Sequence, residues 1–408
     1  MRTTLTAISL CAFAAVAPAG QPAACDYSPV TDPVAAYLQS RPNVGGVGLR
    51  VVQRGFVLHE QYWRSFNENT SIPVASATKL LSGIAIMTLV DDGLIDLDAP
   101  VSTYLPIEFP AGTLKGSMTV RQMFSHTAGL PGSSPFISDN TITLEEAVRR
   151  IGAQTPLIAA PGTEFNYGGV SMHVAGRVAE VVTGQSWVTL FNERVATPLA
   201  LTGTAYDGIG VPTNPRIAGG ARSSVEDFSH VLEMLANGGV YEGVQVLSVQ
   251  AVQTILADQT NGAAVGSVPD GVDLYLGYGI GNWIELRDAT SNAPLEFTSP
   301  GAFGTTPWVN PTLGLYGVFL VPDQLAQVDD ITDDIRNFSR VVAQPLVGDL
   351  NYDGFVTVGD IQGFVLALTN PTAYAFINPG CNINAADVNG DGVVSVGDIG
   401  AFVAGLTD

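Results

Sequence analysis

From Ala75 to Val90 the chain is apolar at most positions, and Lys79 is the only charged residue there. As a helix this segment has no wet face, so it belongs in an interior, and the rest of the chain must supply what surrounds it. It ends at Asp91-Asp92-Gly93, where glycine suits a left-handed C-terminal cap. Its first turn reads Ser76-Ala-Thr-Lys79. Residues three apart share a helix face, so the serine hydroxyl and the lysine amine can meet. A lysine buried there loses the solvation of its charge and can act as a base toward the serine. Free N–H groups at the helix start can stabilise an oxyanion. Lys79 and Lys115 are the only lysines in the chain, so the spacing is hard to meet by accident.

The chain has 408 residues, which at roughly 150 residues per domain predicts two to three domains. With 46% hydrophobic and 13% charged residues it can bury a large core, and wholesale disorder is excluded. The net charge of −21 repels phosphate backbones, so nucleic acid is excluded as a partner and cationic ligands such as divalent metals are favoured. At the N-terminus, Arg2, the apolar run Leu5 to Val16 and Ala17-Pro18-Ala19 read as an export signal over residues 1–24. The run is too short to cross a bilayer of about 30 Å, and no later segment has the length of a membrane span. The expected location is therefore secreted, periplasmic or cell-surface. Removal of the signal takes Cys11 and leaves Cys25 and Cys381, whose pairing, and lipidation of Cys25, the sequence leaves open.

The spacing of apolar residues predicts two strands around Arg54-Gly55, helices at Leu144–Ile151, Ser171–Thr183 and Ser224–Asn237, and late strands at Gly277–Trp283, Leu295–Phe297 and Gly314–Val321. Helices in the middle with strands near both ends predict an α+β body, residues 26–343, in which terminal segments share a sheet. Composition shifts at Gln344-Pro345. Residues 345–408 contain no Lys or Arg and seven aspartates, and form a second, small domain.

That domain contains a repeat. Asp349, Asn351, Asp353, Thr357 and Asp360 recur at the same spacing as Asp387, Asn389, Asp391, Ser395 and Asp398, with Gly354 and Gly392 at the sixth position of each loop. Calcium takes roughly six to eight oxygens at about 2.3–2.6 Å, and the glycine permits the turn that aims the next carbonyl inward, here those of Phe355 and Val393. Two loops with identical internal spacing predict two structural calcium ions. Apolar helical runs follow them, Ile361–Leu368 and Ile399–Leu406, while neither loop has a helical pattern before it. A loop followed by a helix, twice, resembles the type I dockerin module, an all-α domain. The resemblance implies docking to a cohesin-like protein. Loop positions 10 and 11, Val358-Gly359 and Val396-Gly397, differ from the hydroxyl-rich pair of many cellulosomal dockerins.

No Gly-x-Ser-x-Gly elbow is present, and His59, His126, His173 and His230 lack metal-ligand spacing, so each reads as structural. Catalysis is expected to need no cofactor. Several segments occur in one order: Ala75-Ser76-Ala-Thr-Lys79-Leu, Asp92-Gly93-Leu-Ile-Asp-Leu-Asp98 with Tyr104-Leu-Pro106, Ser125-His126-Thr-Ala-Gly129-Leu130, Phe165-Asn-Tyr167-Gly-Gly169, Ala218-Gly-Gly-Ala-Arg-Ser223-Ser224 and Gly277-Tyr278-Gly279. Through them residues 45 to about 340 resemble the serine β-lactamase and penicillin-binding-protein superfamily, in its class C-like and esterase branch. The resemblance implies an antiparallel sheet with a helical region, acylation of Ser76, and Tyr167 as general base and acid beside Lys79. It also implies a late strand, here Ser299-Pro300-Gly301-Ala302, whose Ala302 N–H completes an oxyanion hole with that of Ser76. Two positions depart from the family: Gly169 stands where asparagine contacts a substrate amide, and uncharged Ser299 where a basic residue helps bind a carboxylate. Both departures tilt the expected substrate from β-lactams and D-Ala peptides toward a small ester or uncharged acyl compound. A non-catalytic module of the same fold is the competing class, and fluorophosphonate labelling of Ser76 separates the two.

Overall fold

Arg54 and Gly55 both adopt positive φ, 46° and 82°, and turn the chain between β1 (Gly46–Gln53) and β2 (Phe56–Arg64). The computed structural model describes residues 27–269, 276–344, 346–352, 355–378 and 381–406. The expected export signal, Cys11, Cys25, Pro345, Asp353 and Gly354 lie outside the described residues. The described chain falls into two compact units, Tyr27–Gln344 and residues 346–406.

In the larger unit four later strands join the hairpin: β3 (Trp283–Arg287), β4 (Pro294–Thr298), β5 (Thr306–Asn310) and β6 (Leu315–Leu320). The sheet is antiparallel with order β3-β4-β5-β6-β1-β2, and β1 pairs with β6 from Gly48↔Leu320 to Gln53↔Leu315. Terminal segments thus share one sheet. The expected strand at Gly277–Trp283 is instead a glycine loop, joined to the sheet side by a single Tyr278↔Trp283 bridge. Gly277 and Gly281 sit at φ 97° and 83°, which an extended strand does not accommodate.

Both faces of the sheet are covered, as the two-residue alternation of β6 requires. Leu315 and Phe319 pack with α1 (Ser28–Ser40) on one side. Tyr316, Val318 and Leu320 face a helical region on the other. At its centre is α2 (Thr78–Asp91), buried at every residue from Thr78 to Leu89. Gly93, at φ 70°, ends it, and the Leu94 N–H donates back to the Leu89 carbonyl at 2.9 Å. Around it stand α3 (Leu144–Gln154), α4 (Val170–Thr183) and α5 (Val225–Ala236). Thr143 and Ser224 cap α3 and α5 by accepting the N–H groups of Glu146 and Asp227. The amphipathic α6 (Asp329–Val342) returns to the α1 side, placing Ile335 and Val342 in the same cluster.

The smaller unit holds α7 (Ile361–Thr369), α8 (Pro371–Ile377) and α9 (Ile399–Gly405). Phe364 and Phe402 occupy the same position of the repeat and stack on each other, with centroids 3.9 Å apart and planes 7° apart. The helix α8 corrects the expectation that no helix precedes the second loop. Asn370 caps it by accepting the Ala373 N–H at 3.0 Å, and Pro371 fills the first turn, where its missing N–H costs nothing. Cys381 is disulfide-bonded, to a partner outside the described residues.

Candidate active site

Ser76 lies in the short 3-10 turn Ala75–Ala77 that leads into α2. The preceding residue, Ala75, is held at φ 46°, a conformation that costs a residue with a Cβ roughly 1–3 kcal/mol and needs surrounding structure to enforce it. Two neighbours do so. Ile72–Pro73 pairs with Arg222–Ser223, and the Val74 N–H donates to Ala221 at 3.0 Å.

Lys79, one turn on, is 3% exposed. Its ammonium donates to the Ser76 Oγ and to the Ala218 carbonyl, both at 3.0 Å, and stands 4.5 Å from the centre of the Tyr167 ring. Tyr167 follows a three-residue strand, Glu164–Asn166, and its ring stacks on Trp283 at 5.2 Å. Among the described residues no hydrogen bond joins its hydroxyl to Ser76 or Lys79, so the lysine meets the ring face. Ser76, Lys79, Tyr167, Gly169, Arg216 and Ala218 line one cleft of about 300 Å³. At Gly169 a Cβ would stand 3.1 Å from Ile137 and 3.4 Å from Ala218, so apolar groups crowd the place of the family's asparagine.

Ser299 follows the last residue of β4 and is 3% exposed. Its hydroxyl donates to the carbonyls of Gly281, at 3.1 Å, and Ser76, at 3.4 Å, and so ties backbone segments together rather than facing the cleft. Gly301 lies so close to the helix start that a Cβ would stand 2.1 Å from the Val74 carbonyl oxygen. Ala302 is not on a strand, as the sequence reading has it, but exposed in the turn between β4 and β5, which closes through Gly301 N–H to Thr305 at 2.8 Å. The N–H groups of Ser76 and Ala302 donate to no backbone carbonyl among the described residues.

Three site features rest on contacts that the sequence does not show. Gly281 presses on the back of the helix start: a Cβ there, at φ 83°, would stand 2.3 Å from the Lys79 carbonyl. Gly281→Ala is therefore expected to cost about 1–3 kcal/mol in a denaturant melt and to slow labelling of Ser76. His126 lies between the rings of Tyr167 and Tyr278, at 4.6 and 4.9 Å, and burial, with the nearby Lys79 ammonium, holds it far below the usual histidine range. It is thus neutral. His173, which also lines the cleft, is pushed down to about 4 by burial. An unfolded chain takes up that proton below its ordinary value of about 6.5 and the folded chain does not, so stability present above that pH is lost as pH falls toward 4. A melt at pH 5 against pH 7 should show a loss of about 2 kcal/mol from this residue, absent in His173→Gln.

In the C-terminal repeat the aspartates at position 12, Asp360 and Asp398, are fully buried. Asp360 accepts the N–H groups of Leu350, Asn351 and Thr357, and Asp398 those of Asn389 and Ser395. Asp387 accepts from Asp391 and Gly392, and Asp391 from Val393. Among the described residues no three carboxylates are gathered into a metal cage. Asp349 and Asp387, at 4% and 7% exposure, are nevertheless buried acids in a domain without a basic residue. An oxygen-rich donor set of that charge fits a hard divalent cation.

Residues 34–340 match the family model described as Beta-lactamase. Esterase EstB of Burkholderia gladioli is 32% identical over 189 residues, 40% of this chain and 47% of that one, so the chain spans about half the length of that relative. The D-alanyl-D-alanine-carboxypeptidase/endopeptidase AmpH of Escherichia coli is 25% identical over 175 residues, 42% of this chain and 45% of that one. A solved Bacteroides dorei structure assigned as a beta-lactamase superposes with a TM-score of 0.70 at 29% identity, over 77% of this chain and 99% of that one. A sheet shared by early and late strands of the larger unit, a buried helix led by Ser76 and Lys79, and a family match across three quarters of the sequence lead to one assignment: the chain has a β-lactamase-like fold of mixed α/β content and belongs to the beta-lactamase family of serine hydrolases.

Proposed function

We propose that the protein is an exported ester hydrolase working through an acyl-enzyme on Ser76. The observation that carries this reading is the 3.0 Å contact between the Lys79 ammonium and the Ser76 Oγ inside the cleft. When the amine is neutral, Lys79 takes the serine proton as Oγ bonds to the acyl carbon. The oxyanion that forms is met by the N–H groups of Ser76 and Ala302. The C–O bond to the leaving alcohol then breaks, and Tyr167, in relay with Lys79, returns the proton to the alkoxide. Water, deprotonated by the same pair, releases the acid and restores Ser76. Similarity to an esterase and the apolar surroundings of Gly169 support an ester over an amide. Similarity to a carboxypeptidase supports a second reading, D-Ala peptide cleavage at the same serine. Parallel assays with p-nitrophenyl esters, nitrocefin and D-Ala peptides decide between them, and a protein inert to all three and to fluorophosphonate refutes the hydrolase.

In this reading the C-terminal domain is a dockerin-like module, presented to a cohesin-like partner outside the cell. Asp349, Asn351, Asp353, Phe355, Thr357 and Asp360 hold one calcium ion, and Asp387, Asn389, Asp391, Val393, Ser395 and Asp398 hold the other. The ions neutralise carboxylates that otherwise repel one another, so their binding stabilises the fold. The full chain should bind two calcium ions and melt at higher temperature with them than in a chelator. Asp353→Ala with Asp391→Ala should remove that rise, while ester turnover persists in the chelator. A chain that takes up no calcium in a calorimetric titration sinks this part of the reading.

A further inference from the structure

Two of the residues lining the cleft carry a permanent or lysine-type cation, Lys79 and Arg216. Lys79 is engaged by Ser76 and Ala218. The Arg216 guanidinium has no such contact: among the described residues it forms no ion pair, and its Nε is buried without a hydrogen-bond partner. In a chain of net charge −21 this is unusual, because carboxylates are plentiful and Arg121, Arg222, Arg287 and Arg340 each meet one. A guanidinium is always charged and donates through a planar fork. Leaving it half-buried and unpaired is costly unless something else meets it.

Its setting is built rather than incidental. The Arg216 carbonyl accepts the N–H groups of Gly219 at 2.9 Å and Gly220 at 2.6 Å, which fixes the turn carrying the residue. Gly210, at φ 97°, lies along the side chain, and a Cβ there would touch its Cγ and Nε at 3.4 Å. Two residues on, the Ala218 carbonyl holds Lys79. One short segment therefore suspends both the amine beside the nucleophile and a free guanidinium.

We propose that Arg216 is an anion subsite, and that the acyl substrate carries a carboxylate which Arg216 binds while Ser76 attacks. The proposal deepens the acyl-enzyme reading and rests on it. Binding itself is measurable without turnover. The full chain is titrated with phenylacetate and with 2-phenylethanol, its neutral counterpart of similar size, following tryptophan fluorescence because Trp283 stacks on Tyr167 at the cleft. Phenylacetate is expected to bind roughly tenfold to a hundredfold more tightly, as charge-assisted hydrogen bonds imply, and to slow fluorophosphonate labelling of Ser76. Arg216→Gln should erase the preference, and Arg216→Lys should keep part of it, with unchanged melting as the control for folding. Equal affinities, a preference that survives in Arg216→Gln, or, in a chain that takes the label, phenylacetate binding that leaves labelling of Ser76 unaltered each overturn the proposal. A chain that resists the label yet binds phenylacetate through Arg216 keeps the subsite and loses the hydrolase.

Discussion

Ser76→Ala should reduce ester turnover to the uncatalysed background while leaving the melting temperature within a degree or two of the parent. The hydroxyl is the attacking group, and among the described residues no other serine lines the cleft. Alanine is a good helix residue, and the side chain is only partly buried, so the fold has little to lose. The variant should also fail to take up a fluorophosphonate. Multiple-turnover hydrolysis by Ser76→Ala above the level of a mock preparation contradicts the mechanism.

Lys79→Ala and Tyr167→Phe should each lose about 10²–10⁴-fold in kcat/KM, the usual worth of a group that moves a proton in the transition state. Their double variant should lose far less than the product, because two groups that relay one proton act as a unit. The geometry sharpens the expectation. Lys79 touches the Tyr167 ring at 4.5 Å, so Tyr167→Phe keeps the cation–ring contact and removes only the hydroxyl. If the rate falls in Tyr167→Phe, the hydroxyl is responsible. If it falls only in Tyr167→Ala, the tyrosine supports Lys79 by packing and the proposed proton relay is wrong.

Much of the site was readable because its parts are local. Ser76 and Lys79 are one helical turn apart, so spacing alone places them together, and an apolar helix announces its own burial. Arg54-Gly55 likewise carries its turn in its composition. The pieces that sequence did not show depend on pairs far apart in the chain. Gly281 touches Lys79, and Arg216 is notable only for a carboxylate that is not there. The glycine loop at 277–281 reads as a strand because Tyr278, Ile280 and Trp283 are apolar, and what crowds its glycines is distant in sequence: the Lys79 carbonyl of α2 at Gly281, and the Asp258 and Arg287 side chains at Gly277. Ser299 reads as a substrate residue from its place in a motif, yet its hydroxyl is spent on two backbone carbonyls. The helix α8 carries a start signal in Asn370-Pro371, but the surrounding Asn, Pro and Gly residues read as loop.

The pairing of Gly48 with Leu320 has a consequence for how the protein is made. A strand synthesised early must wait for its neighbour until almost the whole larger unit has left the ribosome. At about 5–20 residues per second that interval is on the order of tens of seconds. During it α2, apolar on every side, has no completed sheet to lie against. Contacts this distant also make final closure slow, since a long loop must be ordered before the pairing repays it. Until that closure α2 lacks its cover and β1 keeps an open edge, a state in which apolar surface and unpaired backbone favour contacts with other chains.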